Sequence, residues 1–216
     1  ARAVPRPPLR LYESQVGAVF NIVLFEPEIP SNTGNIGRTC VVTGSRLHLV
    51  GPLGFELSDP LLKRAGMNYW HNLAVETYSG WQDFMGRNPE AGEPGRLHLL
   101  TKRATTVYSD AAYRDGDYLI FGKESTGIAP TILEEHPASC ERIPMLPDAA
   151  SLDDAPQWRA RHDALGSSPI PAAQPRPDIC GNFVRGEDPG ISSLNLSNAV
   201  AIVLYEALRQ TGFRGM

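Results

Sequence analysis

Short apolar runs alternate with amphipathic stretches along most of this chain. Phe20–Phe25, Arg46–Val50, Leu73–Tyr78, Leu97–Thr101, Tyr118–Phe121 and Cys140–Met145 are each short, β-rich and bounded by turn residues, so they predict strands. Between them the spacing predicts helices. Asn32 precedes one through Thr33–Thr43, and Asp59-Pro60 opens a short one closing near Gly66. Ser79 caps another through Trp81–Met85, before a Gly/Pro/Asn loop over Arg87–Gly95. A turn of helix falls around Ser109–Tyr113, and Pro130 starts Thr131–Glu135. The last helix runs from about Leu194 to Gln210, with Gly212 beyond it as a cap. Leu194, Ala201, Leu204 and Leu208 give it one apolar stripe, widened by Val200, Val203 and Ala207. Strands alternating with helices predict an α/β fold with a mostly parallel sheet flanked by helices. Ligands of such sheets bind beyond the carboxyl ends of the strands.

Two segments break this rhythm. Residues 1–19 carry Arg2, Arg6 and Arg10 among prolines and read as a flexible N-terminal extension, or as a trimmed organellar presequence. Residues 147–192 are rich in Pro, Asp, Arg and Ala, with weak periodicity around Trp158–Leu165. A stretch of that length is read as an insertion within a domain spanning 20–216. No internal repeat is present in the sequence.

Composition narrows the classes. The chain has 216 residues, 42% hydrophobic and 20% charged, with no apolar run approaching the ~18–20 residues of a membrane span. Its net charge of −4 disfavours diffuse binding to nucleic acid but leaves room for a local basic patch. Cys40, Cys140 and Cys180 are far apart, without Cys-x-x-Cys pairs, which points to reduced thiols and no zinc site. The five histidines show no ligand spacing, and no metal is expected. A cytoplasmic location is expected, or a mitochondrial or other organellar one if the N-terminus is a presequence.

Three polar motifs interrupt the apolar pattern, each next to a strand end. The first, Pro27-Glu28-Ile29-Pro30-Ser31-Asn32-Thr33-Gly34-Asn35-Ile36-Gly37-Arg38, stiffens a strand exit and starts a helix whose N–H groups can meet a phosphate. Arg38 lies one turn in, placed to clamp that phosphate. The second is Leu119-Ile120-Phe121-Gly122-Lys123-Glu124-Ser125-Thr126-Gly127, in which Gly122 permits close approach of a ligand. The third joins Arg142-Ile143-Pro144-Met145, after the insertion, to Ser193-Leu194-Asn195-Leu196-Ser197-Asn198-Ala199. Asn and Ser are poor inside helices and useful at helix starts, where they satisfy free N–H groups. Taken singly, the motifs read equally as a capped helix, a strand–turn–helix and a plain N-cap. The set contains no dinucleotide, Walker, zincin or esterase signature.

In order and wording the three motifs resemble the SPOUT superfamily of methyltransferases. Within it they resemble the TrmL-like branch, tRNA cytidine/uridine-34 2′-O-methyltransferases, over roughly Phe20–Met145 and Ser193–Phe213. The resemblance implies a fold whose C-terminal part forms a deep trefoil knot, which sequence physics would not predict. It implies S-adenosyl-L-methionine as cofactor, held by Leu100, Thr101, Gly122, Glu124, Ile143, Met145, Ser193, Leu194 and Asn198. It assigns methyl transfer to a ribose 2′-hydroxyl, with Arg38, Asn35 and Asn195 as the catalytic set. Asn32, Arg38 and Glu124 would face the RNA. A guanidinium has a pKa above ~12, so Arg38 is better suited to stabilising a developing alkoxide than to acting as a base. The implied partners are the anticodon stem-loop of tRNA and a second copy of the chain, with the site shared across a homodimer. The alternatives are an rRNA 2′-O-methyltransferase and a non-catalytic RNA-binding protein on the same fold. Two departures stand out: the 147–192 insertion delays the third motif, and Ser192 stands where relatives often carry Arg. The insertion could lid the site, loop out, or add RNA contacts through Arg159, Arg161, Arg176 and Arg185, against which its acids count.

Overall fold

The computed structural model describes residues 19–57, 70–145, 193–213 and 216. Seven parallel strands form one sheet in the order β3-β2-β1-β6-β4-β7-β5. They are β1 (Asn21–Phe25), β2 (Arg46–Val50), β3 (Val75–Tyr78), β4 (Leu97–Leu100), β5 (Thr106–Val107), β6 (Tyr118–Phe121) and β7 (Cys140–Arg142). Four α-helices accompany them: α1 (Pro30–Thr43), α2 (Trp81–Arg87), α3 (Pro130–Glu135) and α4 (Leu196–Gln210). The expected α/β architecture is therefore present.

Alternation along each strand assigns the layers. On β1, Ile22 and Leu24 join the core built with Ile36 and Cys40 of α1 and with Val200, Val203, Leu204, Ala207 and Leu208 of α4. Val23 and Phe25 point the other way, into a core with Phe84 of α2 and Ile132 of α3. Both faces are covered, which is why β1 and β6 are apolar without interruption. The buried stripe of α4 differs from the expected one. It begins at Leu196, while Leu194 lies before the helix and Ile202 and Tyr205 are exposed.

The local differences have local causes. Helix α1 starts at Pro30, with Ile29 as its cap residue, so Asn32 sits inside the first turn. Pro at the first position has no N–H to satisfy, and this frees the Asn32 side chain for another use. At α2 the cap residue is Gly80, and Ser79 is bound from the other direction. Its N–H and hydroxyl donate to Asp83 at 2.8 and 3.1 Å, holding that carboxyl below its usual range. The third strand starts at Val75, two residues later than expected, after a 3-10 turn at Trp70–Asn72. The expected Arg87–Gly95 loop holds a 3-10 turn at Pro89–Gly92. Around Ser109 the helical turn is a 3-10 turn, Tyr108–Asp110. Strand β5 is only two residues long and was not expected. The last strand ends at Arg142, three residues early, because Pro144 cannot donate to the ladder. The expected helix after Asp59-Pro60, the N-terminal extension, the 147–192 insertion and the threading of a knot through that stretch lie outside the described residues.

The register fixes where the site is. Leu100 pairs with Phe121 and with Glu141, and Phe121 pairs with Leu24, so four strands end almost level. The loops that follow β1, β4, β6 and β7 therefore emerge side by side. No helix among the described residues is long and apolar enough to cross a membrane.

Candidate active site

A cleft of about 750 Å³ opens at that level edge. Its walls bring together ten of the residues expected from the sequence: Asn32, Leu100, Thr101, Gly122, Glu124, Ile143, Met145, Ser193, Leu194 and Asn195. Strand ends deliver Leu100 and Thr101 from β4, and Gly122 and Glu124 from β6. The Thr101 N–H donates to the Glu141 carbonyl at 2.8 Å, so the β4 loop stays tied to β7 as it leaves the sheet. Ile143 and Met145 continue from β7.

A chain of side-chain hydrogen bonds joins the three motifs. Asn195 caps α4: its Oδ1 accepts from the Ser197 N–H at 2.9 Å and from the Ser197 hydroxyl at 2.7 Å. Its Nδ2 donates to Asn32 Oδ1 at 2.9 Å, and Asn32 Nδ2 donates in turn to Glu124 Oε1 at 2.8 Å. The other Glu124 oxygen accepts from the Glu28 N–H at 2.8 Å. Donor and acceptor alternate at each step, which fixes the orientation of both amides. Asn32 is buried and committed to this chain, whereas Asn195 is exposed and has a second N–H to offer.

A second clasp was not anticipated. The Glu28 carboxylate accepts from the Ser125 N–H at 3.0 Å and from its hydroxyl at 2.9 Å. Lys123 donates to Glu26 at 2.8 Å, a contact that holds the lysine above its usual pKa. Glu26 itself has a left-handed backbone, φ 50°, uncommon for a residue with a side chain. The sequence signal was present: both acids sit in the first motif, two residues apart, on either side of Pro27. Gly122 also differs from expectation. The group that comes close to it is the loop's own return, because a Cβ there would overlap the backbone of Gly127 and Ile128. Gly127, at φ 75°, makes that return possible, and its N–H donates to the Lys123 carbonyl at 2.9 Å.

Three expected site residues lie elsewhere on this protomer. Asn35 and Arg38 are exposed on α1, and Asn198 is exposed on α4; none lines the cleft. Lining residues that the motifs did not include are mostly apolar, among them Phe121, Ile128, Leu133, Leu196 and Ala199, with Lys102 and Arg103 at the β4 loop. Apolar walls, backbone at three strand ends and a few polar side chains suit a flat heterocycle with a flexible polar arm. No cluster of His, Cys, Asp or Glu fit to hold a metal occurs among the described residues.

Comparison with known proteins agrees with this geometry. Residues 19–153 match the model of the SpoU rRNA methylase family. The chain belongs to the SpoU rRNA methylase family. It is 39% identical over 198 residues to the tRNA (cytidine(34)-2′-O)-methyltransferase of Escherichia coli strain K12, covering 91% of this chain and 97% of that one. A solved structure concerned with 2-OH methylation of C/U34 on tRNA superposes with TM-score 0.63 and 31% identity, covering 90% of this chain and 97% of that one. The SpoU methyltransferase AviRb of Streptomyces viridochromogenes, solved with S-adenosylmethionine, shares the fold at TM-score 0.60 and 20% identity, covering 95% of this chain and 63% of that one. As a SpoU methyltransferase, this protein uses S-adenosylmethionine, and the cleft has the size and the apolar walls to accept it.

Proposed function

We propose that this protein methylates the ribose 2′-hydroxyl of nucleotide 34 in the anticodon loop of tRNA, and that it works as a homodimer. The observation that carries the reading is the Asn195–Asn32–Glu124 chain, which closes all three motifs around one cleft. The 39% identical relative named for cytidine-34 methylation supports the choice of substrate.

S-adenosylmethionine supplies a methyl group on a sulfonium, and the ribose oxygen takes it as the hydroxyl proton leaves. The chain's own task is to orient that hydroxyl and to stabilise negative charge on its oxygen. The exposed N–H of Asn195 is held by its bonds to Ser197 and Asn32 in one direction, so it is a preorganised donor for the ribose. Glu124 acts through Asn32 and the Glu28 N–H; both of its oxygens are already occupied by protein donors. Arg38 supplies positive charge to the alkoxide and the adjacent phosphate, with Asn35 one turn before it. Leu100, Thr101, Gly122, Ile143, Met145, Ser193 and Leu194 form the cofactor's walls, and Asn198 sits on α4 beyond them.

Arg38 and Asn35 face away from the cleft of their own protomer, so a second copy is needed to deliver them. Exposed apolar residues cluster on the two helices that would carry the contact: Val42 on α1, Ile202 and Tyr205 on α4, with Ile29 and Leu194 just before each. Helices α1 and α4 pack on each other, so these residues border one face. Sedimentation should give a dimer, and Tyr205→Glu should shift it to monomer.

The decisive assay is methylation of purified tRNA with mass mapping of the product. One methyl at nucleotide 34, and none when that nucleotide carries 2′-deoxyribose, is the expected result. Methylation of rRNA in its place would overturn the choice of substrate.

A further inference from the structure

One charged group near the cleft has no role in the account above. Arg142 ends β7 and is only 3% exposed. Its Nε and Nη2 have no hydrogen-bond partner, and among the described residues no carboxylate pairs with it. A buried guanidinium without an anion costs several kcal/mol, so such a residue implies a missing counter-ion. The neighbouring acid is not available. Glu141 points to the opposite face of the sheet, where His98 Nδ1 contacts it at 2.6 Å and the Tyr113 hydroxyl donates to it at 2.6 Å.

The position is specific. Arg142 pairs in register with Val107 and shares its sheet face with Cys140, whose Sγ lies 3.4 Å from the His136 carbonyl, just past α3. Leu133 of α3 lines the cleft, as do Ile143 and Met145, the residues that follow Arg142. The guanidinium is thus set in the wall between β7 and α3. An RNA phosphate is carried on a polymer at the surface and does not suit a cation this deeply buried. A carboxylate on a small molecule entering the cleft does. S-adenosylmethionine has one anionic group, the carboxylate of its methionine arm. The other cations on the cleft are less suited: Lys123 is paired with Glu26, while Lys102 and Arg103 are exposed, where a single ion pair is worth little.

We infer that Arg142 is the receptor for the cofactor's carboxylate, binding it through the Nε–Nη2 edge. The planar fork of Arg matches a carboxylate in two parallel bonds. This rests on the cofactor assignment and adds to it a specific residue for the methionine arm.

Calorimetry with S-adenosylmethionine and with its decarboxylated form tests the inference without any turnover. The wild-type protein should bind the decarboxylated form about 10–100-fold more weakly, the worth of a charged hydrogen-bonded pair. Arg142→Met should bring that ratio near one, and Arg142→Lys should leave an intermediate value. The ratio is read within each variant, so general damage to the fold divides out, and Arg142→Lys serves if Arg142→Met does not fold. Arg103→Ser should keep the wild-type ratio. A wild-type ratio near one, or a ratio that survives in the folded Arg142 variants, would overturn the assignment while leaving the cofactor reading intact. A ratio lost in Arg103→Ser and retained in Arg142→Met would move the carboxylate to the β4 loop. No binding of either compound would remove the cofactor reading as well.

Discussion

Asn195 donates its side-chain amide to Asn32 at 2.9 Å, across 163 residues of sequence. The bond locks the start of α4 to the first turn of α1, and through Asn32 to Glu124. Glu124→Gln tests how far the site depends on this lock. The substitution keeps shape but turns one acceptor into a donor, which must then face either the Asn32 amide or the Glu28 N–H. We expect turnover to fall by roughly 10–100-fold, about 1.4–3 kcal/mol of transition-state stabilisation. Cofactor affinity should change by no more than about threefold, because the cofactor walls are mainly backbone and apolar side chains. Single-turnover kinetics beside calorimetry separates the two quantities.

Arg38 gives a test of the shared site. Arg38→Ala should abolish methyl transfer and leave cofactor binding nearly unchanged, since the residue does not line the cleft of its own protomer. Mixing is more informative. A heterodimer of Arg38→Ala with a chain disabled at Gly122 contains one site with both defects and one with neither, if Arg38 acts across the interface. Activity should then reappear on mixing and refolding the two inactive proteins. If Arg38 served its own cleft, every site would carry one defect and the mixture would stay silent.

The parallel sheet was legible because strands buried on both faces leave uninterrupted apolar runs, as in Tyr118–Phe121. The three motif loops could be placed at one edge for the same reason. What escaped was set by contacts distant in sequence. Nothing local announces that Asn32 would leave the cap position and bind Glu124, since the choice was made by Pro30 and by a carboxylate 92 residues away. The Glu28–Ser125 clasp spans 97 residues and is equally invisible to pattern reading. Strand β5 is too short to carry a period, and its pairing with β7 alone defines it. Gly122 was singled out correctly as a point of close approach, but sequence could not tell a ligand from the chain's own return.

Gly122→Ala should be far more harmful than Gly127→Ala, although Gly127 is the one with the unusual backbone. A Cβ at 122 would strike the backbone of Gly127 and Ile128, which cannot move aside as a side-chain tip can. The expected cost is about 2 kcal/mol or more, a fall in Tm of roughly 4–8 °C for a chain of this size. Cofactor binding should fail with it, because Gly122 lies in the cleft wall. At Gly127 the φ of 75° makes alanine strained, yet nothing lies within 4 Å of the added carbon, so about 1 kcal/mol is expected. Thermal melts of the two variants, with and without cofactor, decide it.

His98 should make stability fall at alkaline pH. It is buried between Asp117, 3.2 Å from Nε2, and Glu141, 2.6 Å from Nδ1, while Asp117 also takes Arg96 at 2.7 Å. Burial alone would depress the imidazole, but hydrogen bonds and attraction from the two carboxylates outweigh it and raise its pKa from 6.5 to about 9. The folded state therefore holds a proton that the unfolded chain releases near its ordinary pKa. That contribution is complete below about pH 6.5 and is lost as pH rises through about 9, with a size of up to about 3 kcal/mol. His48 acts on the other limb. Burial holds it at about 4, so the neutral ring favours folding above pH 6.5 and that gain disappears as pH falls towards 4. Urea unfolding across pH should thus show a maximum in the neutral range, with separate causes for the two slopes. In His98→Gln the alkaline slope should flatten while the acid slope remains. The variant should be less stable than wild type at pH 6, where two buried carboxylates lose their cation, and the gap should narrow by pH 9.5. An alkaline slope unchanged in His98→Gln would mean that another group holds the proton.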